Sequence, residues 1–178
     1  FLQALSQQPL AWGQVVVTLV DERWVPATHE RSNAKLVQEN LLQGPAAAAR
    51  FAPLYRETPE PEAAVTELEA DLPQTFDAVV LGMGTDGHTA SFFPGGDHLA
   101  AALDPSCAAR VLPMRAPGAG EPRITLTLPV LLAANRLYLH MEGAEKQTVL
   151  QHALSGEGGG SDYPIRTVIG HVERPFAV

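Results

Sequence analysis

Two apolar runs, Gly13 to Glu22 (GQVVVTLVDE) and Phe76 to Gly84 (FDAVVLGMG), constrain the fold of this chain more than any other feature. Neither alternates apolar with polar residues, so both read as strands buried on two faces, the habit of parallel sheets. The first ends in charge and is followed by a helical pattern from Ser32 to Gln43. Ser32 or Asn33 can cap that helix, Leu36, Val37, Leu41 and Leu42 recur at helical spacing, and Gly44-Pro45 stops it. Ahead of the second run, residues 60–71 place Ala64, Val65 and Leu68 on one helical stripe. ARVLPM, RITLTLP, RLYLHM and IRTVIG read as further short strands, with helices at Pro129–Ala134 and Ala144–Leu154. The alternation predicts an α/β sandwich with a mostly parallel sheet, and 178 residues suffice for one domain with one core. Arg115–Pro122 and Ser155–Asp162, rich in Gly with Pro or Ser, read as loops, the second of them mobile. The first residues start in mid-pattern without Met, so the chain reads as a fragment of a longer one.

Charge narrows the partners. Twelve Lys and Arg stand against twenty Asp and Glu, a net charge of −8, which argues against a nucleic-acid surface. An anionic ligand must therefore be held by a few local cations. The single cysteine, Cys107, cannot form an internal disulfide, which fits a reducing compartment and an expected cytoplasmic location. No apolar run approaches the roughly 18 residues of a membrane span, and no secretory signal pattern opens the chain. A monomer is the simplest expectation for assembly.

In open α/β sheets ligands bind beyond the carboxyl ends of the strands, which directs attention to three places. DERWVP, Asp21 to Pro26, sets three ionisable residues at a strand end, either as a site or as an ion pair that ties a loop down. The turn GMGTDGHTASFFPGG carries glycines at 82, 84 and 87, which permit close backbone approach and offer N–H groups to an anion or a developing oxyanion. Its spacing fits neither a dinucleotide fingerprint nor a Walker A loop. Within it lies His88, preceded by Asp86; an imidazole can take and return a proton near neutral pH, and a glycine turn at a strand end is an unusual place for a structural histidine. Arg123 and Lys146 stand later in the chain, and by themselves they are no more than common surface charges. No HExxH or Cys/His cluster suggests a metal, no GxSxG elbow is present, and Ser91 is not a candidate nucleophile.

DERWVP with SN shortly after it, then LGMGTDGHTASFFPG, then RITLTLP, together resemble the signature segments of the 6-phosphogluconolactonase family, in the family's order. The resemblance covers the chain from Val15 onward. It implies a three-layer α/β sandwich similar to the glucosamine-6-phosphate deaminase-like fold, no metal or organic cofactor, and a phosphorylated sugar lactone as the small-molecule partner. The activity implied is hydrolysis of 6-phospho-D-glucono-1,5-lactone to 6-phosphogluconate in the oxidative pentose phosphate pathway. It also implies His88 as the catalytic histidine, with Arg23 as the arginine of the family's DER segment. Asp86, two residues before His88, is a further catalytic candidate that restrains the loop or orients the imidazole, and Asp21, Gly84, Gly87, Arg123 and Lys146 are the candidate substrate-binding positions. Arg123 and Lys146 match the residues that hold the phosphate. Oxyanion stabilisation is open between Arg23 and the Gly82–Gly87 backbone. The family's first strand and its glycine-serine phosphate loop have no counterpart here, and a last strand at Pro175–Val178 stops early. The deaminases carry DEYxG and GxDGHIAFNEP where this chain has DERWVP and GTDGHTASFFP, which favours the lactonase; a non-catalytic sugar-phosphate sensor is the alternative of another class.

Overall fold

The computed structural model describes residues 1–172. A short helix α1 (Leu2–Ser6) and a 3-10 turn at Trp12–Gln14 lead into β1 (Val16–Thr18) and β2 (Asp21–Arg23). There follow α2 (Asn33–Asn40), β3 (Arg50–Ala52), α3 (Val65–Asp71), β4 (Val79–Leu81), α4 (Leu99–Ala102), β5 (Val111–Met114), β6 (Arg123–Leu126), α5 (Leu128–Leu132), β7 (Leu137–Leu139), α6 (Ala144–Ser155) and α7 (Pro164–Gly170). β1 runs parallel to β3 and β4 parallel to β7, whereas β2, β6 and β5 form an antiparallel three-stranded sheet in that order. The molecule is thus a mixed α/β structure in which the parallel pairs carry the crossover helices.

The run Gly13–Glu22 is not one strand. Its start winds into the turn at Trp12–Gln14, and the chain breaks at Leu19–Val20, so that β1 stays with β3 while Asp21–Arg23 crosses to β6. The bond from Leu126 N–H to the Val20 carbonyl, 2.8 Å, fixes the crossing. IRTVIG is also corrected: it forms α7, because Pro164 begins the helix where a missing N–H costs nothing, and Pro164, Ile165 and Val168 bury one helical face. The Ser155–Asp162 loop folds onto α6 through a short 3-10 turn at Gly160–Asp162, where a Cβ on Gly160 would lie 2.0 Å from the His152 carbonyl oxygen. The expected last strand at Pro175–Val178 lies outside the described residues.

Ser32 caps α2 as expected, its side chain accepting from Lys35 N–H at 3.2 Å. One contiguous core unites the elements, and Leu81 of β4, Ile124 and Leu126 of β6, Leu131 of α5, Ile165 of α7 and Phe92 are all fully buried in it. Phe92 belongs to the segment after β4, so the glycine turn that carries His88 is pinned by the core a few residues downstream.

Candidate active site

β4 ends at Leu81, and Gly82–Ser91 leaves the carboxyl edge of the β4–β7 ladder. The turn closes on itself: Gly84 N–H donates to the His88 carbonyl at 2.9 Å, Gly87 N–H donates to the Gly84 carbonyl at 3.2 Å, and Thr89 Oγ1 donates to the Gly82 carbonyl at 2.7 Å. Ala90 sits at φ 49°, a strained backbone for a residue with a Cβ. Inside this loop the His88 ring nitrogen Nδ1 lies 2.5 Å from Asp86 Oδ1, and the same carboxylate oxygen accepts from His88 N–H at 3.2 Å. Asp86 therefore engages one ring nitrogen and leaves Nε2 without a partner among the described residues. The imidazole rests on Phe93, ring centroids 4.4 Å apart, and its side chain keeps 30% of its surface accessible.

Gly84 and Gly87 act here as space rather than as donors. A Cβ on Gly84 would stand 2.3 Å from His88 Nδ1 and 2.6 Å from Asp86 Oδ1, so any side chain would displace the pair. Gly87 has φ 75°, and a Cβ there would meet Tyr163 at 2.4 Å; its carbonyl accepts from Ile165 N–H, tying the turn to α7. Both N–H groups are spent within the turn. Those of Thr85 and Asp86 have no partner among the described residues.

The antiparallel register supplies the second half of the site. Arg23 stands directly opposite Arg123, and Asp21 opposite Thr125, so period-2 alternation puts these four side chains on one face. Asp21 Oδ2 accepts from Ser91 Oγ at 2.6 Å and lies 4.0 Å from Arg123 Nη1. Arg123 is only 4% exposed; its Nη2 donates to the Ala119 carbonyl, and its guanidinium covers the Phe93 ring at 5.2 Å. Phe93 is thus shared by His88 and Arg123. Burial, and then the charge of Arg23, depress the Arg123 pKa below the usual arginine value. Like charges opposed across a sheet are destabilising unless countered, and Asp21 counters them only partly.

Arg23 is aimed by its neighbours. Its Nη1 donates to the Arg31 carbonyl and to Asn33 Oδ1, and Asn33 Nδ2 donates to the Asp21 carbonyl oxygen at 3.0 Å. Beneath them the fully buried Glu22 carboxylate accepts from Arg23 N–H, Asn33 N–H, Ser32 Oγ and Ala34 N–H. A charge at the N-terminus of α2, saturated by four donors, locks the start of that helix to β2. Glu22, Asn33, Ser91 and Phe93 were not singled out from the sequence as site residues. All four lie in the signature segments, Glu22 in DER, Asn33 in SN, and Ser91 and Phe93 in GTDGHTASFFP.

Lys146 lies apart from these contacts. It sits in the first turn of α6, half-buried, with no hydrogen bond or ion pair among the described residues. Because β7 runs parallel to β4, the loop into α6 leaves the same edge of the ladder as the His88 turn, which is where Lys146 is placed. Among the described residues no group of His, Cys, Asp and Glu could hold a metal ion.

An imidazole held by a carboxylate at one ring nitrogen, on the Phe93 ring it shares with an arginine that faces a second arginine across the sheet, gives this α/β protein the groups that proton transfer on an anionic small molecule would need. Over residues 1–175 the sequence matches the family model of glucosamine-6-phosphate isomerases and 6-phosphogluconolactonase, and the chain belongs to that family. It is 51% identical to a 6-phosphogluconolactonase of Mesorhizobium japonicum, over 100% of this chain and 75% of that protein. A second 6-phosphogluconolactonase, from Rhizobium meliloti, is 49% identical over 100% of this chain and 78% of its own length. The crystal structure of a 6-phosphogluconolactonase from Shewanella baltica superposes with a TM-score of 0.90 at 36% identity, covering 99% of this chain and 78% of that one.

Proposed function

We propose that this protein hydrolyses 6-phospho-D-glucono-1,5-lactone to 6-phosphogluconate, the lactonase step of the oxidative pentose phosphate pathway, with His88 as its general base and acid. The observation that carries the mechanism is the 2.5 Å contact between His88 Nδ1 and Asp86 Oδ1. Water approaching the lactone carbonyl gives a proton to Nε2 as its oxygen bonds to C1, and the carbonyl becomes an oxyanion. Collapse of that intermediate breaks the bond from C1 to the ring oxygen, which takes the proton back from the imidazolium. Asp86 holds the ring in the productive tautomer and stabilises the imidazolium.

Arg23 faces the developing oxyanion in this reading. Arg123 and Lys146 hold the phosphate, with Asp21, itself held by Ser91, keeping Arg123 in place. Gly84 gives the catalytic pair its room, and Gly87 lets the turn lie against Tyr163, so that both shape the wall the substrate meets. Residues 1–178 are read as one α/β domain, a reading supported by the single contiguous core. A cytoplasmic location is supported by the unpaired Cys107, and among the described residues no helix is long and apolar enough to cross a membrane.

The test is hydrolysis of the phosphorylated lactone measured against its spontaneous background, for the parent protein and for His88→Asn. The expected result is a rate well above background that falls about 10²-fold or more in the variant at an unchanged melting temperature. Wild-type turnover in His88→Asn would remove the histidine from the mechanism. Binding without turnover by the parent would make the protein a sensor.

A further inference from the structure

Beyond the Arg23–Arg123 pair, a third guanidinium approaches the same place. Arg31 Nη2 lies 3.3 Å from Glu121 Oε2, and the two side chains keep 48% and 25% of their surface accessible. Gly120 takes φ 75°, and a Cβ there would stand 3.6 Å from Arg31 Nη2, so the Arg115–Pro122 loop passes directly beneath the Arg31 head group. The contact between Arg31 and Glu121 is an ion pair without hydrogen-bond geometry, for Glu121 Oε2 is buried and accepts no hydrogen bond. The Nε atoms of Arg23 and Arg123 are buried and unpartnered as well. Glu121's own backbone N–H, and then the charges of Arg31, Arg123 and Arg23, hold its carboxyl below the usual range. Glu121 thus pairs with Arg31 and lies in the field of the other two guanidiniums.

This arrangement is poorly satisfied in a specific direction. Three guanidiniums face two carboxylates, Asp21 and Glu121, so the cluster keeps a positive charge and two buried donors without acceptors. A phosphate dianion would neutralise that residual positive charge, most directly at the half-exposed Arg31 head group. Arg31 also aims Arg23, but through its backbone carbonyl. Its side chain can therefore change partner without disturbing that contact.

We propose that Arg31 is an exchangeable third cation for the phosphate of the substrate, and that Glu121 competes with the phosphate for it and so limits affinity. The proposal rests on the sugar-phosphate reading of the site. It makes Arg31 and Glu121 determinants of specificity for the phosphorylated over the unphosphorylated ligand, with Glu121 keeping binding weak enough for product to leave.

Calorimetric binding of inorganic phosphate, which needs no turnover, tests it on Arg31→Ala and on the near-isosteric Glu121→Gln, with melting temperatures as the folding control. Arg31→Ala should weaken phosphate about tenfold, the loss of one charge-assisted contact, and raise KM for the phosphorylated lactone to a similar degree. Glu121→Gln should tighten phosphate several-fold. Unchanged phosphate affinity in both variants would overturn the proposal and leave the pair as a latch for the Arg115–Pro122 loop; weaker binding in Glu121→Gln would likewise overturn it. The expected shifts in a protein that does not hydrolyse the lactone would uphold the phosphate site and refute the catalytic reading. Lactone hydrolysis with unaltered phosphate binding would do the reverse.

Discussion

His88 and Asp86 are two positions apart in sequence and joined twice in space, through the imidazole Nδ1 at 2.5 Å and through the His88 backbone N–H at 3.2 Å. A carboxylate that binds both the ring and the backbone of the same residue fixes where the ring stands as well as which nitrogen carries the proton. Asp86→Asn keeps the shape and removes the charge. The expected outcome is a loss of kcat of about 10² or more with KM little changed, as for carboxylates that orient a catalytic histidine elsewhere. Steady-state kinetics decide it; full activity would leave Asp86 as a loop tie only.

Gly84→Ala is a test of space. The added Cβ falls 2.3 Å from the His88 ring and 2.6 Å from Asp86 Oδ1, and neither group can retreat without breaking their mutual bond. Activity should drop at least tenfold, because a misplaced base costs rate steeply. The melting temperature should move by a few degrees at most, since the collision is with partly exposed side chains. A crystal structure of the variant would show the imidazole displaced.

Arg23→Lys and Lys146→Ala should fail differently. Arg23 uses one nitrogen on the Arg31 carbonyl and Asn33, so its fork is already oriented, and a lysine cannot reproduce it. If it meets the oxyanion, kcat falls and KM stays. Lys146 has no partner that would suffer from its removal, and the phosphate charge hardly changes during reaction, so Lys146→Ala should raise KM and spare kcat. Should Arg23→Lys raise KM alone, Arg23 belongs with the phosphate and the oxyanion is left to the backbone N–H groups of Thr85 and Asp86.

Glu22→Gln tests the scaffold under Arg23. The amide presents an NH2 where the carboxylate oxygen now accepts, so at least one buried donor at the start of α2 loses its acceptor. The cost is about 3 kcal/mol, a fall in melting temperature on the order of 10 °C for a chain of this size. A fall of less than about 2 °C, read by thermal denaturation, would show that the four hydrogen bonds at Glu22 carry little of the stability.

Local signals in the sequence determined a good part of this protein. The Ser32 cap, the helix at Ala144, the glycine turn and the His88–Asp86 pair depend on residues near one another in the chain, where spacing and chirality decide the geometry. What tertiary structure decided is the company these parts keep. The switch of Asp21–Arg23 from the parallel ladder of β1 to the antiparallel edge of β6 is invisible in an apolar run, yet it alone sets Arg23 opposite Arg123. IRTVIG suits a strand by composition and became α7 because Pro164 and the packing of Ile165 and Val168 outweigh a weak β preference. Glu22 reads only as one of three ionisable residues at a strand end until four donors from β2 and the start of α2 converge on it. Propensity and spacing act over a few residues, whereas burial and charge complementarity act between segments as distant as Arg31 and Glu121, so only the folded chain can express them.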